Sequence, residues 1–197
     1  MGTNTLTAIV AIRGTRPLLW HTFGPDTIAL ERKERTGVAG NDPQEWKRSH
    51  SATKEGQLYL APSYVFGTIR DGARQIKKGR GSIQASVAAT LQVLDNLILV
   101  DRWLPREGDP PMNDPEAPVY IDVRSAVNPT TKRRNVRYRV AASPGWQCSF
   151  SIQWDATLVS RGEMQSAVIQ AGMFSGLGDG RAIGMGRFEV ISWELQE

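Results

Sequence analysis

The sequence predicts an α+β fold in which two helices cover one face of an antiparallel sheet. Several short segments alternate apolar and polar residues with a period of two, which is typical of strands with one buried face. Two other segments repeat apolar residues at helical spacing. The chain has 197 residues, enough for one domain with a substantial core.

The first predicted strand covers residues 5–13, which are β-rich and mostly apolar, and the run Gly14-Thr15-Arg16-Pro17 ends it. Residues 20–57 are polar and contain scattered glycines. They predict a long insertion with a short helix near 45–48. Loops of this length are usually functional or mobile.

The first predicted helix opens at Pro62, because proline suits the first helical turn. Its apolar positions are Val65, Ile69, Ala73 and Ile76, and its basic flank is Arg70, Arg74 and Lys77, followed by Lys78-Gly79-Arg80-Gly81. A second, shorter helix is predicted within 83–93. Residues 105–118 hold five prolines and several acidic residues, which predicts an exposed loop.

Three further strands are predicted at 119–124, 136–140 and 147–154, where the period of two is clean. A basic connection, residues 128–134, joins the first two. The run Ser160-Arg161-Gly162-Glu163 has the form of a capping box and predicts a helix that continues to Phe174. A last strand is predicted from Arg187 to Trp193.

The order is strand, insertion, helix, strands, helix, strand, which is the split βαβ pattern of the ferredoxin-like fold with an added basic β-hairpin. The right-handed crossover rule places both helices on one face and leaves the other face free to bind a ligand. We predict a single domain over residues 1–197, carrying the insertion 20–57 and the Pro-rich acidic loop 105–118.

The glycine-rich segment 176–190 holds five glycines within eleven residues, together with Arg181 and Arg187. Successive backbone N–H groups in such loops form anion-binding concavities, and arginine binds phosphate in bidentate geometry. No Lys-Ser or Lys-Thr follows the glycines, and the order helix, glycines, strand is the reverse of the dinucleotide fingerprint. ATP and dinucleotide binding are therefore disfavoured. The alternative interpretation is a tight turn into the last strand.

The charge pattern predicts a partner rich in phosphate. The net charge is +4, and six basic residues lie between Arg124 and Arg139 without an acidic residue among them. Tyr138, Trp146, Trp20 and Tyr120 are candidate stacking surfaces for bases. The predicted nucleic-acid-binding residues are Arg13, Arg16, His21, Arg70, Arg74, Lys77, Lys78, Arg80, Arg124, Lys132, Arg133, Arg134, Arg137, Arg139, Gly178, Gly180, Arg181, Gly184, Gly186 and Arg187. The rival interpretation is a scaffolding protein whose basic face meets an acidic protein.

The sequence offers little catalytic chemistry. Two histidines and one cysteine give no zinc spacing, and the aspartates are dispersed. The alternation around Cys148 predicts a buried thiol rather than a nucleophile. We therefore expect no catalysis, no metal and no cofactor. The alternative is an endoribonuclease that uses His21 or Asp26.

A lone cysteine excludes an internal disulfide and favours a reducing compartment. We find no signal-peptide pattern and no apolar run of membrane-spanning length. These observations predict a cytoplasmic protein without a membrane partner.

Residues 178–188, Gly-Asp-Gly-Arg-Ala-Ile-Gly-Met-Gly-Arg-Phe, resemble the C-terminal glycine-rich loop of the RAMP superfamily of CRISPR-associated proteins, which have RRM-like folds. Residues 13–19, just after the first strand, are similar to the corresponding segment of its backbone-type members. The resemblance implies a subunit that coats a guide RNA, oligomerises along it, meets a complementary target strand and joins other effector subunits. A phage or mobile-element protein that coats single-stranded DNA remains the alternative.

Overall fold

The structure is a computed structural model that describes residues 4–22, 42–127, 130, 132 and 134–196. Its strands, in chain order, are β1 (Thr5–Gly14), β2 (Leu18–Leu19), β3 (Gln57–Leu60), β4 (Lys77–Lys78), β5 (Gly81–Ser82), β6 (Gln92–Val93), β7 (Ile98–Trp103), β8 (Val119–Val127), β9 (Arg134–Ala142), β10 (Gln147–Asp155) and β11 (Phe188–Gln196). The α-helices of the described residues are α1 (Pro62–Ala73), α2 (Gln84–Thr90) and α3 (Arg161–Gln170). Short 3₁₀-helices lie at Glu45–Arg48 and Arg181–Ile183, and a π-helix lies at Ala171–Ser175.

The chain divides into two compact units, each assembled from separate segments. The first unit consists of Met1–Leu18, Tyr59–Asp101 and Pro144–Glu197, and the second of Leu19–Leu58 and Arg102–Ser143. The predicted insertion, the Pro-rich segment and the basic hairpin therefore fall within the second unit. That one domain spans residues 1–197 stays a prediction.

The larger sheet has the order β11-β1-β10-β7-β3, with β6 also paired to β10. The pairs β1/β10, β1/β11 and β10/β7 are antiparallel. Strand β10 lies between β1 and β7, which the chain connects through α1. The predicted strands β1, β10 and β11 are thus neighbours in one sheet, and the protein is an α+β protein built on antiparallel sheets.

The core of the first unit follows from the alternation in its strands. Ala8, Val10 and Ile12 are fully buried, and their partners on β10 are Ile152, Phe150 and Cys148. Directly opposed residues share a face, so these six side chains form one continuous apolar surface.

The helices are short and closely packed. Helix α3 begins with the predicted capping box, in which Ser160 accepts from the N–H of Glu163 while the Glu163 carboxylate accepts from the N–H of Ser160. Gly72 of α1 lies against the backbone of Ala167 and Ala171, where a Cβ would not fit. In the part of the chain that the structure describes, no helix is long and apolar enough to cross a membrane.

The second sheet has the order β2-β9-β8, in which β8 and β9 form an antiparallel hairpin. The Pro-rich segment pairs with the other edge of β8, because Ile121 donates to the carbonyl of Pro111 (2.8 Å) and accepts from the N–H of Asn113 (2.8 Å). This segment is largely exposed, as predicted, but its backbone also protects an edge strand.

Three details differ from the sequence-based prediction. Strands β3, β6 and β7 of the larger sheet were not predicted, although Ile98 and Val100 of β7 are fully buried and alternate. The predicted strands near 119 and 136 form a sheet of their own instead of extending the larger one. Lys77 lies in the small β4/β5 hairpin rather than on the helix, because α1 ends at Ala73.

Candidate nucleic-acid interface

The uncovered face of the larger sheet is not basic. Among the described residues of β1, β10 and β11, this face carries one cation, Arg13, and three carboxylates, those of Asp155, Glu189 and Glu194. Arg13 is itself paired with Glu189, with 2.7 Å between Nη2 and Oε1. Hydroxyl and amide side chains occupy most of the remaining positions. Electrostatic attraction for phosphates must therefore come from other surfaces of the molecule.

The glycine-rich loop is a closed structure rather than a loose turn. The N–H of Leu177 donates to the carbonyl of Gly186 (2.8 Å), and the N–H of Gly186 donates to the carbonyl of Pro17 (2.7 Å). The hydroxyl of Thr68 on α1 donates to the carbonyl of Gly176 (2.7 Å). Positive φ angles occur at Gly176, Gly178, Gly180, Gly184 and Gly186.

The two sequence segments that carry the family resemblance meet in the first unit. The carbonyl of Arg187 accepts from the N–H groups of Thr15 (2.8 Å) and Arg16 (3.2 Å). The segment that follows β1 is therefore bound to the segment that precedes β11. Arg16 is exposed at this junction.

Three predicted arginines surround one carboxylate, an arrangement that we call the Asp71 cluster. Asp71 lies 3.2 Å from Nη1 of Arg181, 3.0 Å from Nη2 of Arg70 and 4.0 Å from Nη2 of Arg74. Three guanidinium groups against one carboxylate leave an excess of two positive charges. Asp71 was not a predicted site residue, although its position between Arg70 and Arg74 on one helix could have indicated it.

Charged neighbours also act on the side chains beside the cluster. Burial raises the pKa of Tyr64, as does the negative charge of Asp179, and the charge of Arg181 opposes the rise only in part. Burial and the nearby charge of Arg181 lower the pKa of Arg187. Nη1 of Arg187 has no hydrogen-bond partner in the described part of the chain. The loop therefore places the positive charges of Arg181 and Arg187 near each other, together with the carboxylate of Asp179.

The β4/β5 hairpin presents Lys77, Lys78 and Arg80 to solvent, directly after α1 in the chain. Gly79 has a φ of +60°, which the tight turn requires. Nζ of Lys78 lies 3.1 Å from Oε1 of Glu163, whereas the side chains of Lys77 and Arg80 are exposed.

In the second unit, Arg124, Arg137 and Arg139 share one face of the β8/β9 hairpin. Arg124 lies opposite Arg137, and Asp122 lies opposite Arg139. Like charges directly opposed on a sheet repel each other, and the structure relieves the repulsion with two buried carboxylates. Arg124 Nε is 2.6 Å from Oδ1 of Asp122, and Arg137 Nη1 is 2.8 Å from Oε1 of Glu45.

Glu45 organises a buried group, the Glu45 cluster, which consists of Glu45, His21, Arg137 and the backbone N–H of Tyr138. Its carboxylate accepts from Arg137 Nη1, from Tyr138 N (3.0 Å) and pairs with Nε2 of His21 (3.1 Å). Burial alone raises the pKa of Glu45, but the hydrogen bonds from His21 and Tyr138 and the charge of Arg137 together hold that pKa below its usual value. His21 and Arg137 are therefore part of the packing of the second unit. Whether either contacts nucleic acid stays a prediction.

The tip of the same hairpin carries Lys132 and Arg134, both exposed, and Lys132 has a φ of +56°. Two other candidate residues, Arg133 and Asp26, lie outside the described residues.

Three of the four aromatic residues proposed for stacking belong to the core. Trp20, Tyr120 and Trp146 are at most 4% exposed, and the indole N–H of Trp146 donates to the carbonyl of Arg16 (2.9 Å). Stacking needs an accessible ring face, so these three cannot serve as a platform without local opening. Tyr138 is half-buried.

The described residues contain no group of three or more His, Cys, Asp or Glu side chains that could hold a metal ion. Cys148 is buried, and burial followed by the charge of Asp101 raises its pKa to about 12. A thiol with this pKa is almost fully protonated near neutral pH and is a poor nucleophile.

No protein-family model matches the chain, and neither does any curated protein. Among solved structures, the chain resembles one from the cryo-EM structure of the Type III-B Cmr-beta bound to cognate target RNA, with a TM-score of 0.48 and 12% sequence identity. The match covers 98% of this chain and 61% of the other, so this chain spans less than two thirds of the length of that relative. At this TM-score and identity, no property of that complex carries over to this chain.

Proposed function

We propose that the protein binds single-stranded nucleic acid through phosphate contacts made by the basic surface of the first unit. The observation that carries this proposal is the Asp71 cluster, where three arginines converge beside a glycine-rich loop with an excess of positive charge. The exposed Lys77 and Arg80 follow the Asp71 cluster in the chain and add further positive charge.

The finer proposal is a guide-RNA-coating subunit of a CRISPR-type effector with an RRM-like, ferredoxin-like domain. It is supported by the resemblance of residues 13–19 and 178–188 to the RAMP superfamily and by the direct backbone contacts between these segments. Single-stranded DNA is the alternative ligand, because phosphate and stacking contacts do not require a 2′-hydroxyl.

We also propose that the protein has no catalytic activity of its own. The ring of His21, the candidate acid or base, pairs with a buried carboxylate, and only 11% of its side chain is exposed. A general acid or base must reach the atom whose proton it transfers.

The test is a binding titration of a labelled single-stranded RNA against salt concentration, with wild type and the double variant Arg74→Gln/Arg181→Gln. We expect wild-type affinity to fall steeply with salt, because binding releases counterions from the strand. The double variant should bind more weakly. It should also lower the slope of log K against log salt by about 1.4, because each phosphate that the protein no longer neutralises reduces that slope by roughly 0.7.

The matched control is Arg106→Gln, which removes one charge from an exposed arginine outside the predicted interface. It should leave the salt slope unchanged. Wild-type affinity that barely responds to salt would refute the proposal. If the protein purifies free of nucleic acid and binds RNA weakly and independently of salt, the scaffolding interpretation is favoured.

A further inference from the structure

A cavity of about 290 Å³ lies beside the Asp71 cluster, between the end of α1, the π-helix and the glycine-rich loop. Its lining is largely polar and includes Asp71, Arg74, Gln75, Ser175 and Arg181, but it also includes Phe174. Its volume lies just below the roughly 300–1,000 Å³ typical of small-molecule sites. All of these residues belong to the first unit.

Phe174 is an exposed aromatic residue of the first unit. The residue is 54% exposed, comparable to Ile183 at 60%, whereas Phe150 and Phe188 are at most 4% exposed. The ring therefore contributes little buried apolar area in this position. It does provide an accessible π-face.

Phe174 lies on a π-helix that leads into the glycine-rich loop. The helix after α3 widens into a π-helix over Ala171–Ser175, and the N–H of Gly176 donates to the carbonyl of Ala171 (2.8 Å), a bond across five residues. Such π segments are frequent at functional sites. Gly176 then takes a φ of +77° and leads into the glycine-rich loop, so the ring and Arg181 belong to one continuous segment.

We infer that this cavity holds one nucleotide of a bound single strand, with its phosphate on Arg74 and Arg181 and its base stacked on Phe174. The inference rests on the proposed function and adds the residue that contacts the base. Guanidinium groups recognise phosphate oxygens, and a phenyl ring stacks on any base. Gln75 and Ser175 also line the cavity, and their side chains carry an amide and a hydroxyl that can donate hydrogen bonds.

Asp71 also lines the cavity, but its charge does not exclude an anion. Its carboxylate is already bonded to Arg181 and Arg70. The net charge of the Asp71 cluster is therefore positive. The hydrogen bond from Arg181 to Asp71 positions the Arg181 guanidinium at the cavity.

The test compares two labelled strands of equal length, an oligoadenylate RNA and the same strand with abasic sites. Phe174→Ala should weaken binding of the base-bearing strand by about 5- to 150-fold, the worth of one stacked base, and leave the abasic strand unaffected. Phe174→Leu keeps an apolar side chain without a ring and should show the same selective loss. Phe174→Leu replaces Phe174→Ala as the test variant if Phe174→Ala does not fold.

The matched control is Met173→Ala, which truncates the neighbouring exposed side chain on the same π-helix and should change neither affinity. Arg74→Gln should weaken binding of both strands alike, because both carry phosphates. Folded Phe174 variants that bind both strands as wild type does, or that lose affinity equally for both, would overturn the inference and leave the proposed function standing. Failure of wild type to bind either strand would overturn the proposed function itself.

Discussion

At the scale of single residues, the structure separates basic side chains that neutralise buried carboxylates from those that face solvent. Arg137 is 17% exposed and bonded to Glu45, whereas Arg74 is 66% exposed and only loosely paired with Asp71. A sequence shows the charge of both residues equally well. It does not show their partners, because Glu45 lies 92 positions from Arg137 in the chain. This is why the candidate residues could be selected by charge but not sorted by role.

Glu45→Gln should destabilise the second unit by up to about 3–5 kcal/mol, because it leaves the half-buried Arg137 and His21 without their charged partner. The measurement is the free energy of unfolding in urea near neutral pH. Glu55→Gln, a change at an exposed turn, is the control and should have almost no effect.

The same carboxylate predicts a pH dependence. Its pKa is lower in the folded than in the unfolded state, so its contribution is present above the unfolded pKa and is lost as pH falls through the folded pKa. The difference in unfolding free energy between wild type and Glu45→Gln should therefore shrink as the medium becomes acidic. A difference that stays constant from neutral pH to below the folded pKa would contradict the structural role of the ionised group.

At the scale of elements, local sequence rules succeeded where the structure depends on local interactions. Three kinds of local signal specify their elements through near neighbours: the capping box at Ser160, the proline at the start of α1, and the strand patterns, which are a β-rich apolar run in β1 and alternation in β10. Strand β7 was missed because its alternation is short and its pairing with β10 joins residues far apart in the chain, such as Val100 and Cys148. The cavity beside Phe174 was missed for a similar reason. Its lining comes from the end of α1, the π-helix and the glycine-rich loop, and no local pattern shows that these elements meet.

Within the glycine-rich loop, Gly186→Ala and Gly184→Ala should differ sharply. Both glycines have positive φ, so each alanine carries strain of about 1–3 kcal/mol. A Cβ at Gly186 would also collide with the backbone of Leu177, whereas a Cβ at Gly184 meets nothing within 4 Å. Thermal unfolding should therefore show a much larger loss of stability for Gly186→Ala. Equal losses would mean that the closed geometry of the loop does not contribute to stability.

At the scale of the whole molecule, two segments inserted at different points of the first unit build the second. Leu19–Leu58 follows β1, and Arg102–Ser143 includes the end of β7 and the hairpin β8/β9. The Glu45 cluster joins these two segments, with Glu45 and His21 from one and Arg137 and Tyr138 from the other. The sequence alone indicates an insertion, a loop and a hairpin as separate features. It does not show that they pack together, because no local pattern joins them.

Assembly along a strand is expected from the size of the protein. A protein of this size would cover only a few nucleotides, roughly the 4–16 of a single OB fold, so coating a longer strand requires many copies. We expect the number of protomers per RNA to rise in proportion to RNA length, as measured by analytical ultracentrifugation at saturating protein. Neighbours related by a head-to-tail contact that does not close would form a helical filament, whereas a two-fold contact would stop at a dimer. Arg74→Gln/Arg181→Gln should lower occupancy on short and long strands alike, because it acts on phosphate contacts. One protomer per strand at every RNA length would exclude a coating role while leaving single-site binding intact.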